Sequence, residues 1–576
     1  MRKTKVVATL GPASTDPAVF LKMVEGGLDV ARINLSHGQI DHHRAVIRMV
    51  RQIEQQVGRP IGVMLDTAGP EVRVKTRQSK GLSVEPGSTL TLGDAEDADL
   101  RPSISDVADF LKVGHQLVVG DGSVIMEVKR MGRRVELTVI QGNYIHDNKK
   151  VTSPGAIWEL PVLTQADQAA LQMGIEEGID WVAASFVRTP DDLVSVRRQV
   201  ESWGGGSIAI MAKIETKLAM QNLDTIARLA DGLMVARGDL GVEYPPEDVP
   251  WLQKEIIDAA NRLGKPVVTA TQMLESMVRS DRPTRAEVTD IAHAVLEGSD
   301  AVMLSEETAM GDHPVQSVVV MARASKASEA HPWEGMRRIH YKSGTVTDAV
   351  CHAALTAAED LKAQVIITAT ESGHTAEAMA AHRPRVPILA VTPYEQVGRR
   401  LTLIWGLHTH IMNTHTSVEG MVDESVRLAV QLGWARSGDR VIVTAGAPVG
   451  EAGSTNVLRV VSVGRVLLRG QGMGPEGEVE GFVTVLSDLK SVNPGDVAGK
   501  IVVVKDSDGD YTPYLEHARA IVAERGGLTS HAAIVGVSLG IPTVIGVARA
   551  VEHLQEGQWV TVDAVAGTVL QGRHED

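Results

Sequence analysis

The chain has almost no cysteine: among its 576 residues, Cys351 is the single thiol. One cysteine excludes a disulfide framework within the chain and fits a reducing compartment. The sequence also lacks any run that approaches the roughly 18 uninterrupted apolar residues of a membrane span. The apolar stretch after the basic N-terminal residues is too short for a secretion signal. We therefore expect a soluble, cytoplasmic protein that does not enter a membrane.

The sequence also lacks an excess of positive charge. The net charge is −15 and the sequence contains no block of basic residues, so we expect no nucleic-acid partner. Apolar content of 43% and charged content of 22% are ordinary values for a globular protein. A length of 576 residues is too great for one domain and indicates three or four.

Short apolar runs alternate with amphipathic helical patterns through the first 330 residues. Continuous apolar strands between helices are typical of parallel strands that are buried on both faces. Eight such units predict an α/β protein with a (β/α)₈ barrel rather than an open sheet. The predicted strands are residues 5–10, 29–35, 61–66, 180–186, 207–214, 232–236, 266–271 and 301–304.

The helix that should follow the third strand is missing. Between Asp66 and Leu163 the pattern has period two, as in TLTLG and VELTVI, and it includes turn signals such as GDG. This pattern predicts a small antiparallel β domain inserted after the third strand. An insertion at this position lies on the carboxyl-terminal face of the barrel, where a lid would sit.

Two apolar runs, MAKIE and MVARGDLGVE, stop abruptly on charged residues. Side chains two apart in a strand face the same side. We therefore expect Lys213 and Glu215 to point together, and likewise Arg237 and Asp239. Four charges at the ends of two successive strand-like segments favour a functional site.

Polar residues also collect at the ends of other predicted strands. Barrel enzymes build their active sites at these ends. Carboxylate oxygens suit Mg²⁺, and the fork of arginine suits phosphate or carboxylate. The alternative is a set of rim salt bridges that only stabilises the barrel, but five converging strand ends favour a site. The additional polar residues are Arg32, Asn34, Ser36, Asp66, Thr67 and Thr271.

Eight strings stand out along about the first 465 residues. They read ATLGPAS, ARINLSHG, LDTAGPEVR, MAKIET, MVARGDLGVE, TATQMLESM, PTRAEVTDIAHAVLEGSDAVMLSEETAMG and VTAGAPVGEAGSTN. In these strings the chain resembles the pyruvate kinase family: they follow the family order, and together they are highly specific.

The resemblance implies that a phosphoryl group is transferred from phosphoenolpyruvate to ADP, and that the resulting enolate is protonated to pyruvate. Such a transfer depends mostly on positioning and on neutralising the charge of the moving group. By resemblance, Lys213, Arg32 and Arg73 contact that group. Glu215 and Asp239 match the ligands of Mg²⁺ or Mn²⁺. The expected ligands are phosphoenolpyruvate, ADP, ATP and pyruvate.

The resemblance also implies how the rest of the substrate is held. Backbone N–H groups near Ala236, Arg237 and Gly238 are expected to bind the substrate carboxylate at the start of a helix. Thr271 matches the hydroxyl near the enolate carbon, where it would organise proton delivery.

A monovalent cation is implied as well. Asn34, Ser36, Asp66 and the carbonyl of Thr67 match the K⁺ ligands of the family. Glu71 stands where K⁺-dependent members carry glutamate and where some independent members carry lysine.

Nucleotide contacts are expected in and near the inserted domain. That domain departs from the family, because it reads KVTSPG where the family usually has GVNFPG. Either Lys149 or Lys150 is therefore a candidate. The remaining expected nucleotide ligands are Asn34, His37 and Arg73.

A second α/β domain is predicted over residues 341–466, with strands at 364–369, 387–391 and 440–444. Its string TATESGHTA places hydroxyls and a glycine ahead of a helix, which is typical of an anion site. In the family the matching loop binds the phosphate of an allosteric effector, and an ordinary helix cap is the alternative. This predicted effector loop contains Thr368, Thr370, Ser372, Gly373, His374 and Thr375.

Residues 467–477 are rich in glycine and are predicted to be a flexible linker. Beyond them, residues 478–576 resemble the phosphohistidine domain of enzymes such as pyruvate phosphate dikinase, with His531 at the phosphorylated position. We expect a structural or regulatory role for this domain rather than a phosphocarrier role. The other predicted domains are the catalytic barrel, residues 1–69 and 160–340, and the inserted lid, residues 70–159.

Three functions compete. A phosphohistidine relay would need an additional domain of several hundred residues to charge His531, and the sequence has no room for it. A catalytically inactive metabolite-binding protein conflicts with the intact Lys213, Glu215, Asp239 and Thr271. The sequence therefore predicts a glycolytic kinase that, like its family, forms a homotetramer and responds to a phosphorylated effector.

Overall fold

The chain forms two compact units in the computed structural model. Unit 1 comprises Met1–His352, Thr368–Thr414 and Gly450–Thr455, and unit 2 comprises Ala353–Ile367, His415–Val449 and Asn456–Asp576. No helix among the described residues is both long and apolar enough to cross a membrane. The structure describes residues 1–77, 80–105, 107–120, 122–154, 160–330, 344–436, 438–447, 455–464, 466–475, 478–487 and 489–571.

Unit 1 begins with alternating strands and helices. Local signals delimit the first helix, because the Asp16 carboxylate accepts N–H groups at its start and Gly27, with φ 114°, ends it in a left-handed conformation. The elements are β1 (Lys5–Thr9), α1 (Pro17–Gly26), β2 (Val30–Asn34), α2 (Ile40–Val57) and β3 (Gly62–Asp66).

Short strands build the inserted segment. They are β4 (Val72–Thr76), β5 (Leu82–Ser83), β6 (Thr89–Leu92), β7 (Leu100–Pro102), β8 (Gln116–Val119), β9 (Val124–Arg130), β10 (Val135–Gln141), β11 (Tyr144–Ile145) and β12 (Lys149–Thr152). Seven of these strands, within the described residues, close into a barrel in the order β10-β6-β7-β4-β12-β8-β9. Its interior holds Val74, Leu92, Leu117 and Met126, each at most 1% exposed. The predicted β insertion is therefore confirmed, and its closure removes free strand edges.

The alternation of strands and helices resumes after the inserted barrel. The elements are α3 (Gln165–Glu176), β13 (Trp181–Ala184), α4 (Pro190–Ser202), β14 (Ala209–Ile214), α5 (Lys217–Gln221), α6 (Leu223–Leu229), β15 (Gly232–Ala236), α7 (Arg237–Glu243), α8 (Val249–Arg262), β16 (Val267–Ala270), α9 (Arg285–Glu297), β17 (Ala301–Leu304), α10 (Glu306–Ala309) and α11 (Pro314–Ala330).

Eight strands in the described part of unit 1 close into a parallel barrel in the order β1-β2-β3-β13-β14-β15-β16-β17. Every residue of β3, β14 and β15 is buried. Burial on both faces explains why these strands read as continuous apolar runs in the sequence. The predicted (β/α)₈ barrel is confirmed, and the differences from prediction lie at strand ends.

The next segment also alternates strands and helices. Within unit 1, β19 (Ile388–Thr392) pairs in parallel with β20 (Leu407–Ile411). The strands predicted at residues 364–369, 387–391 and 440–444 are present as β18 (Val365–Ala369), β19 and β21 (Arg440–Gly446). The elements are α12 (Val346–Asp360), β18 (Val365–Ala369), α13 (His374–Ala381), β19 (Ile388–Thr392), α14 (Glu395–Leu401), β20 (Leu407–Ile411), α15 (Val418–Gln431), β21 (Arg440–Gly446) and β22 (Thr455–Ser462).

Unit 2 ends in a mixed sheet. Its elements are β23 (Val466–Arg469), β24 (Gln471–Met473), β25 (Glu478–Leu486), β26 (Ile501–Val504), α16 (Thr512–Leu515), β27 (Ala520–Ala523), α17 (His531–Leu539), β28 (Thr543–Ile545), α18 (Ala550–His553), β29 (Trp559–Asp563) and β30 (Thr568–Gln571). The strand order is β23-β30-β29-β25-β26-β27-β28-β24.

The segment predicted as a flexible linker, residues 467–477, contains most of β23 and all of β24, and this prediction is corrected. β23 pairs with β30 and β24 pairs with β28. The glycines are there for close packing: a Cβ at Gly470 would overlap the Ile545 carbonyl, and one at Gly472 would overlap the Ala564 carbonyl. Residues 476–477 lie outside the described residues.

Candidate active site

Strand register brings polar residues to one end of the catalytic barrel. Asn34 of β2 pairs with Asp66 of β3, and Asp66 pairs with Ala183 of β13. Lys213 of β14 pairs with Met234 of β15. Because these strands are parallel, their carboxyl ends share one face of the barrel.

Lys213 is the centre of a buried charge cluster. Its Nζ lies 3.0 Å from Asp66 Oδ1 and 3.0 Å from Glu215 Oε1, and it donates a 2.7 Å hydrogen bond to Ser185 Oγ. The predicted common orientation of Lys213 and Glu215 is thus confirmed. Burial disfavours the charged ammonium, but Asp66 and Glu215 outweigh it and raise the pKa of Lys213 above its ordinary value. Lys213 is therefore a fixed positive charge rather than a base.

The Asp66 carboxylate ties Lys213 to a second cation. Arg32 Nε donates to Asp66 Oδ2 at 2.7 Å, and Arg32 Nη1 donates to Thr9 Oγ1 at 2.7 Å. Burial opposes ionisation of Asp66, but Arg32 and Lys213 outweigh it and hold the pKa of this carboxyl below its usual range. Two positive charges are consequently fixed side by side, in an arrangement that suits an anionic substrate group.

Glu215 and Asp239 place two carboxylates beside this cluster. Glu215 Oε2 accepts the backbone N–H of Phe186 at 2.7 Å. Burial raises the pKa of Glu215 above its ordinary value, although the nearby Lys213 opposes the shift. Burial also disfavours the charged form of Asp239, but Lys150 outweighs it and lowers the pKa of Asp239. Asp239 is therefore more readily ionised than Glu215.

Lys150 reaches this pair from β12 of the inserted barrel. Its Nζ donates to Asp239 Oδ1 at 2.6 Å, lies 3.8 Å from Glu71 Oε1, and stands 4.6 Å from the centroid of the Phe186 ring. Glu71 also accepts a 2.7 Å hydrogen bond from Arg73. The inserted barrel thus brings one cation, Lys150, to a carboxylate of the catalytic barrel.

Backbone strain is concentrated at the same end of the barrel. Phe186, Thr271 and Gln272 have φ values of 54°, 69° and 56°, in the left-handed region that bulky or β-branched residues rarely adopt. Thr271 Oγ1 donates to the Ala270 carbonyl at 2.6 Å and accepts the Gly238 N–H at 2.9 Å. These two hydrogen bonds fix the direction of the Thr271 hydroxyl.

Arg237 and Asp239 do not point together, and that prediction is wrong. Arg237 begins α7, so the alternation of a strand does not apply to it. Its guanidinium donates to the carbonyls of Ala270 and Thr271, at 3.1 and 2.5 Å, and pairs with Asp290 at 2.7 Å. Arg237 thus anchors the strained turn, whereas Asp239 faces Lys150.

The oxygens expected to bind K⁺ lie at the ends of β2 and β3. Asn34 Oδ1 accepts the Ser36 N–H at 3.1 Å. The carbonyl of Thr67 accepts the Ser185 hydroxyl at 2.6 Å. With the Asp66 carboxylate, they form a set of hard oxygen donors, which is the donor chemistry that alkali and alkaline-earth cations prefer.

Arg73 and His37 face solvent more than the Lys213 cluster does. The Arg73 side chain is 33% exposed, and besides Glu71 it contacts the Asn148 carbonyl at 3.2 Å. His37 is exposed. Both side chains therefore lie outside the buried cluster.

The sequence interpretation missed Ser185 and Phe186. Ser185 orients Lys213, and the Phe186 N–H orients Glu215. The signal was present, because both residues follow the apolar strand that ends at Ala184, in the same way as the polar ends of the other strands. The sequence pattern nevertheless gives no indication that the backbone N–H of Phe186 orients the Glu215 carboxylate.

The donor set fits a hard divalent cation. Mg²⁺ commonly uses one or two protein carboxylates and takes its other ligands from water and substrate. Glu215 and Asp239 match that requirement, and Glu215 Oε1 is a buried oxygen whose contact is the Lys213 ammonium at 3.0 Å. No group of three or more His, Cys, Asp or Glu side chains forms a complete metal cage in the part of the chain that the structure describes.

The predicted effector loop lies between β18 and α13. Gly373 precedes α13 with φ 91°, and its N–H donates to Thr370 Oγ1 at 2.9 Å. Arg400 donates to the carbonyl of Ser372. The loop is therefore held in a tight turn at the start of a helix, with a guanidinium beside it.

Part of this loop is closed to solvent. Three hydroxyl side chains are at most 7% exposed: Thr368, Thr370 and Thr375. The Thr375 hydroxyl hydrogen-bonds that of Thr455. Ser372 is half-buried and His374 is exposed. An anion that approaches the loop would therefore meet Ser372 and His374 first.

His531 begins α17 in the terminal sheet domain. Its Nε2 lies 3.2 Å from Thr512 Oγ1, and its Nδ1 lies 3.3 Å from Ser507 Oγ. Both ring nitrogens are thus within hydrogen-bond reach of hydroxyls of the same domain, and the ring is oriented by them.

Comparison with known proteins agrees with this architecture. Residues 1–318 match the pyruvate kinase barrel domain, residues 348–461 match the pyruvate kinase alpha/beta domain, and residues 496–567 match the mobile domain of PEP-utilising enzymes. The pyruvate kinase of Bacillus licheniformis is 41% identical over 583 residues, which cover 100% of this chain and 99% of that protein. The pyruvate kinase of Sporosarcina psychrophila is 40% identical over 582 residues, 99% of each chain.

A solved structure extends the comparison to three dimensions. The crystal structure of a pyruvate kinase from Cryptosporidium parvum superposes with a TM-score of 0.75 at 33% identity, covering 80% of this chain and 96% of that chain. The likeness in sequence includes the catalytic barrel, residues 1–318. The chain therefore belongs to the pyruvate kinase family, and it is an enzyme that transfers the phosphoryl group of phosphoenolpyruvate to ADP in glycolysis.

Proposed function

We propose that Lys213 is the positive charge on the phosphoryl group as it moves from phosphoenolpyruvate to ADP. The observation that carries this assignment is the Lys213 ammonium, fixed 3.0 Å from both Asp66 and Glu215. Arg32, held by the same Asp66, supplies a second charge, and Arg73 approaches from the inserted barrel. Phosphoryl transfer needs such preorganised charge more than it needs covalent chemistry.

Glu215 and Asp239 would hold Mg²⁺ or Mn²⁺. A divalent ion bound there supplies charge neutralisation at the substrate oxygens. The Phe186 N–H fixes the orientation of the Glu215 carboxylate. This hydrogen bond keeps Glu215 in place whether or not Lys150 contacts Asp239.

The substrate carboxylate would meet the backbone N–H groups of Ala236 and Arg237 at the start of α7. The Gly238 N–H already donates to Thr271 Oγ1, so it couples this turn to the hydroxyl instead. Thr271 would organise delivery of a proton to the enolate carbon, directly or through water.

K⁺ and the nucleotide complete the proposed ligand set. The oxygen donors at the ends of β2 and β3 would hold K⁺, which adds a positive charge beside the substrate phosphoryl: Asn34, Ser36, Asp66 and Thr67. The nucleotide phosphates would meet polar side chains at the mouth of the site: Asn34, His37, Arg73 and Lys150.

We propose that this chain is regulated and assembled as the resemblance to the family implies. A phosphorylated effector would bind beside Ser372 and His374, and the chain would form a homotetramer in the cytoplasm. The single thiol of the sequence, Cys351, agrees with a reducing compartment.

A coupled assay tests the reaction. Pyruvate formed from phosphoenolpyruvate, ADP and Mg²⁺ is reduced by lactate dehydrogenase, and NADH consumption is followed. We expect turnover that requires all three components. Turnover without ADP, or no turnover at all, contradicts the proposal.

Activity is expected to require K⁺, and Glu71→Lys to relax that requirement. Tetramethylammonium is too large for the oxygen donors around Asp66, so the wild type should lose most of its kcat when this ion replaces K⁺. A lysine at position 71 brings a tethered positive charge to the same region. The measurement is kcat in the two salts for wild type and variant.

Glu71→Gln is the matched control, because it removes the carboxylate without adding a cation. It should keep the K⁺ requirement of the wild type. Full wild-type activity in tetramethylammonium salts would refute the K⁺ assignment. An identical K⁺ response in Glu71→Lys and Glu71→Gln would refute the role of position 71.

A phosphorylated effector is expected to lower the apparent KM for phosphoenolpyruvate by about 5- to 150-fold, the usual range of allosteric coupling. Ser372→Asp should abolish this response, since it sets a negative charge against the phosphate. Ser372 is chosen because Thr375 is buried against Thr455, where a carboxylate would disturb the fold. Saturation curves with sugar phosphates and nucleotides measure the effect, with Ser372→Ala as the neutral control. A response that survives in Ser372→Asp would exclude this loop.

A further inference from the structure

Lys150 makes contacts that a nucleotide-binding role does not explain. Its ammonium lies 2.6 Å from Asp239 Oδ1, 3.8 Å from Glu71 Oε1 and 4.6 Å from the centroid of the Phe186 ring. The side chain is 22% exposed, so water shields this ion pair little. The ammonium of Lys150 therefore lies directly on a carboxylate of the proposed metal site.

An ammonium and a divalent ion compete for that carboxylate. Mg²⁺ bonds a carboxylate oxygen at roughly 2.0–2.1 Å, so both cations on Asp239 would stand within a few ångströms of each other. Like charges at such a separation repel strongly where water is largely excluded. Tight binding of the divalent ion consequently requires Lys150 to move away.

The contact also joins two parts of unit 1. Lys150 belongs to β12, which pairs with β4 and β8 in the inserted barrel, whereas Asp239 belongs to α7 of the catalytic barrel. Lys150 is the first residue of KVTSPG, the string in which the inserted domain departs from the usual family text. The bridge between the two parts therefore depends on a single lysine side chain.

We propose that Lys150 is a tethered competitor of the divalent cation: it neutralises Asp239 until the ion displaces it, and its displacement frees the inserted barrel from Asp239. This inference rests on the proposed role of Asp239 as a metal ligand. Two consequences follow. Lys150 lowers the affinity of the site for divalent ions, and ion binding loosens β12.

Mn²⁺ binding to the full-length chain, without substrates, tests the first consequence. Free Mn²⁺ is measured by electron paramagnetic resonance during titration of the wild type, Lys150→Met and Lys150→Gln. Both variants remove the charge and keep most of the side-chain length, so we expect each to bind Mn²⁺ at least about fivefold more tightly. Lys149→Met is the matched control, since Lys149 is an exposed neighbour and its replacement should leave Mn²⁺ affinity unchanged.

Hydrogen exchange tests the second consequence. Exchange of the β12 amides should speed up when Mn²⁺ is added to the wild type, because the bridge to Asp239 opens. In Lys150→Met the same amides should exchange equally fast with and without Mn²⁺. Mn²⁺ binding no tighter in both Lys150 variants than in the wild type would overturn the inference, and so would β12 exchange in the wild type that does not respond to Mn²⁺.

Asp239→Asn and Glu215→Gln separate failure of this inference from failure of the proposed metal site. Each should weaken Mn²⁺ binding in the wild-type background. If neither does, the metal site itself is wrong, and the competition loses its basis. If both do while the Lys150 variants bind like the wild type, the metal site stands and the competition is refuted.

Discussion

Lys213→Met is expected to lower kcat by at least about a hundredfold, because it removes a preorganised charge of the kind whose loss costs about 3–4 kcal/mol of transition-state stabilisation. The fold should persist. Asp66 keeps Arg32 as its partner, and Glu215 keeps the hydrogen bond from the Phe186 N–H. The measurement is kcat in the coupled assay together with the binding constant for phosphoenolpyruvate.

The control for this variant is Lys217→Met. It makes the same substitution four residues later, at a lysine that packs over the Tyr244 ring rather than on the carboxylates. It should change kcat little. A Lys213→Met enzyme that keeps a tenth of the wild-type kcat would remove Lys213 from the proposed role, and loss of phosphoenolpyruvate binding in proportion to kcat would make it a binding residue instead.

The catalytic barrel was predictable because burial on both faces leaves a strong local signal. The strands β14 and β15 are buried along their whole length, so their sequences are continuously apolar until the strand ends. The charged residues that follow had to lie on one face, since parallel strands in a barrel place their carboxyl ends together. The contact of Lys213 with Glu215 needed only the two-residue period of a strand.

Two local predictions failed because the deciding contacts lie far away in the sequence. Arg237 begins a helix, where its side chain meets the carbonyls of Ala270 and Thr271 more than 30 residues later. The glycines at 470 and 472 lie against the carbonyls of Ile545 and Ala564. Glycine serves both flexible segments and close backbone contacts, and the local sequence does not distinguish these uses.

Parts of the site depend on the register between strands and on the closure of the inserted barrel. The hydrophobic pattern of the sequence specifies neither. Ser185 reaches Lys213 because β13 and β14 are adjacent with Ala183 opposite Met211. Lys150 reaches Asp239, 89 residues away, because the inserted strands close into a barrel that presents β12 to α7. No periodicity within β12 could indicate that contact.

Asp66→Asn is expected to damage both stability and catalysis, because Asp66 is the shared anion of two buried cations. Removing one member of a buried ion pair typically costs about 3–5 kcal/mol, since the remaining charges lose their compensation. For a domain of this size the melting temperature should fall on the order of 10 °C. The kcat should fall as well, because Arg32 and Lys213 are no longer fixed relative to each other.

The pH dependence provides a sharper test of Asp66→Asn. The pKa of Asp66 is held below its usual range by Arg32 and Lys213. Its stabilising contribution is therefore complete above the pKa of the unfolded state and is lost as the pH falls through the folded pKa. The difference in melting temperature between wild type and Asp66→Asn should be largest near neutral pH and should shrink in acid, where the wild-type carboxylate becomes protonated.

Ser185→Ala supplies the comparison, because it removes a hydrogen-bonding hydroxyl from the same cluster and no charge. Loss of one such partner costs about 1–3 kcal/mol, with no dependence on pH in this range. If Asp66→Asn melts within about 2 °C of the wild type, or if its deficit is the same at acid and neutral pH, the Asp66 charge does not hold the two cations. Arg32 and Lys213 would then have to be fixed by their neutral partners, Thr9 and Ser185, which is a different design for the same site.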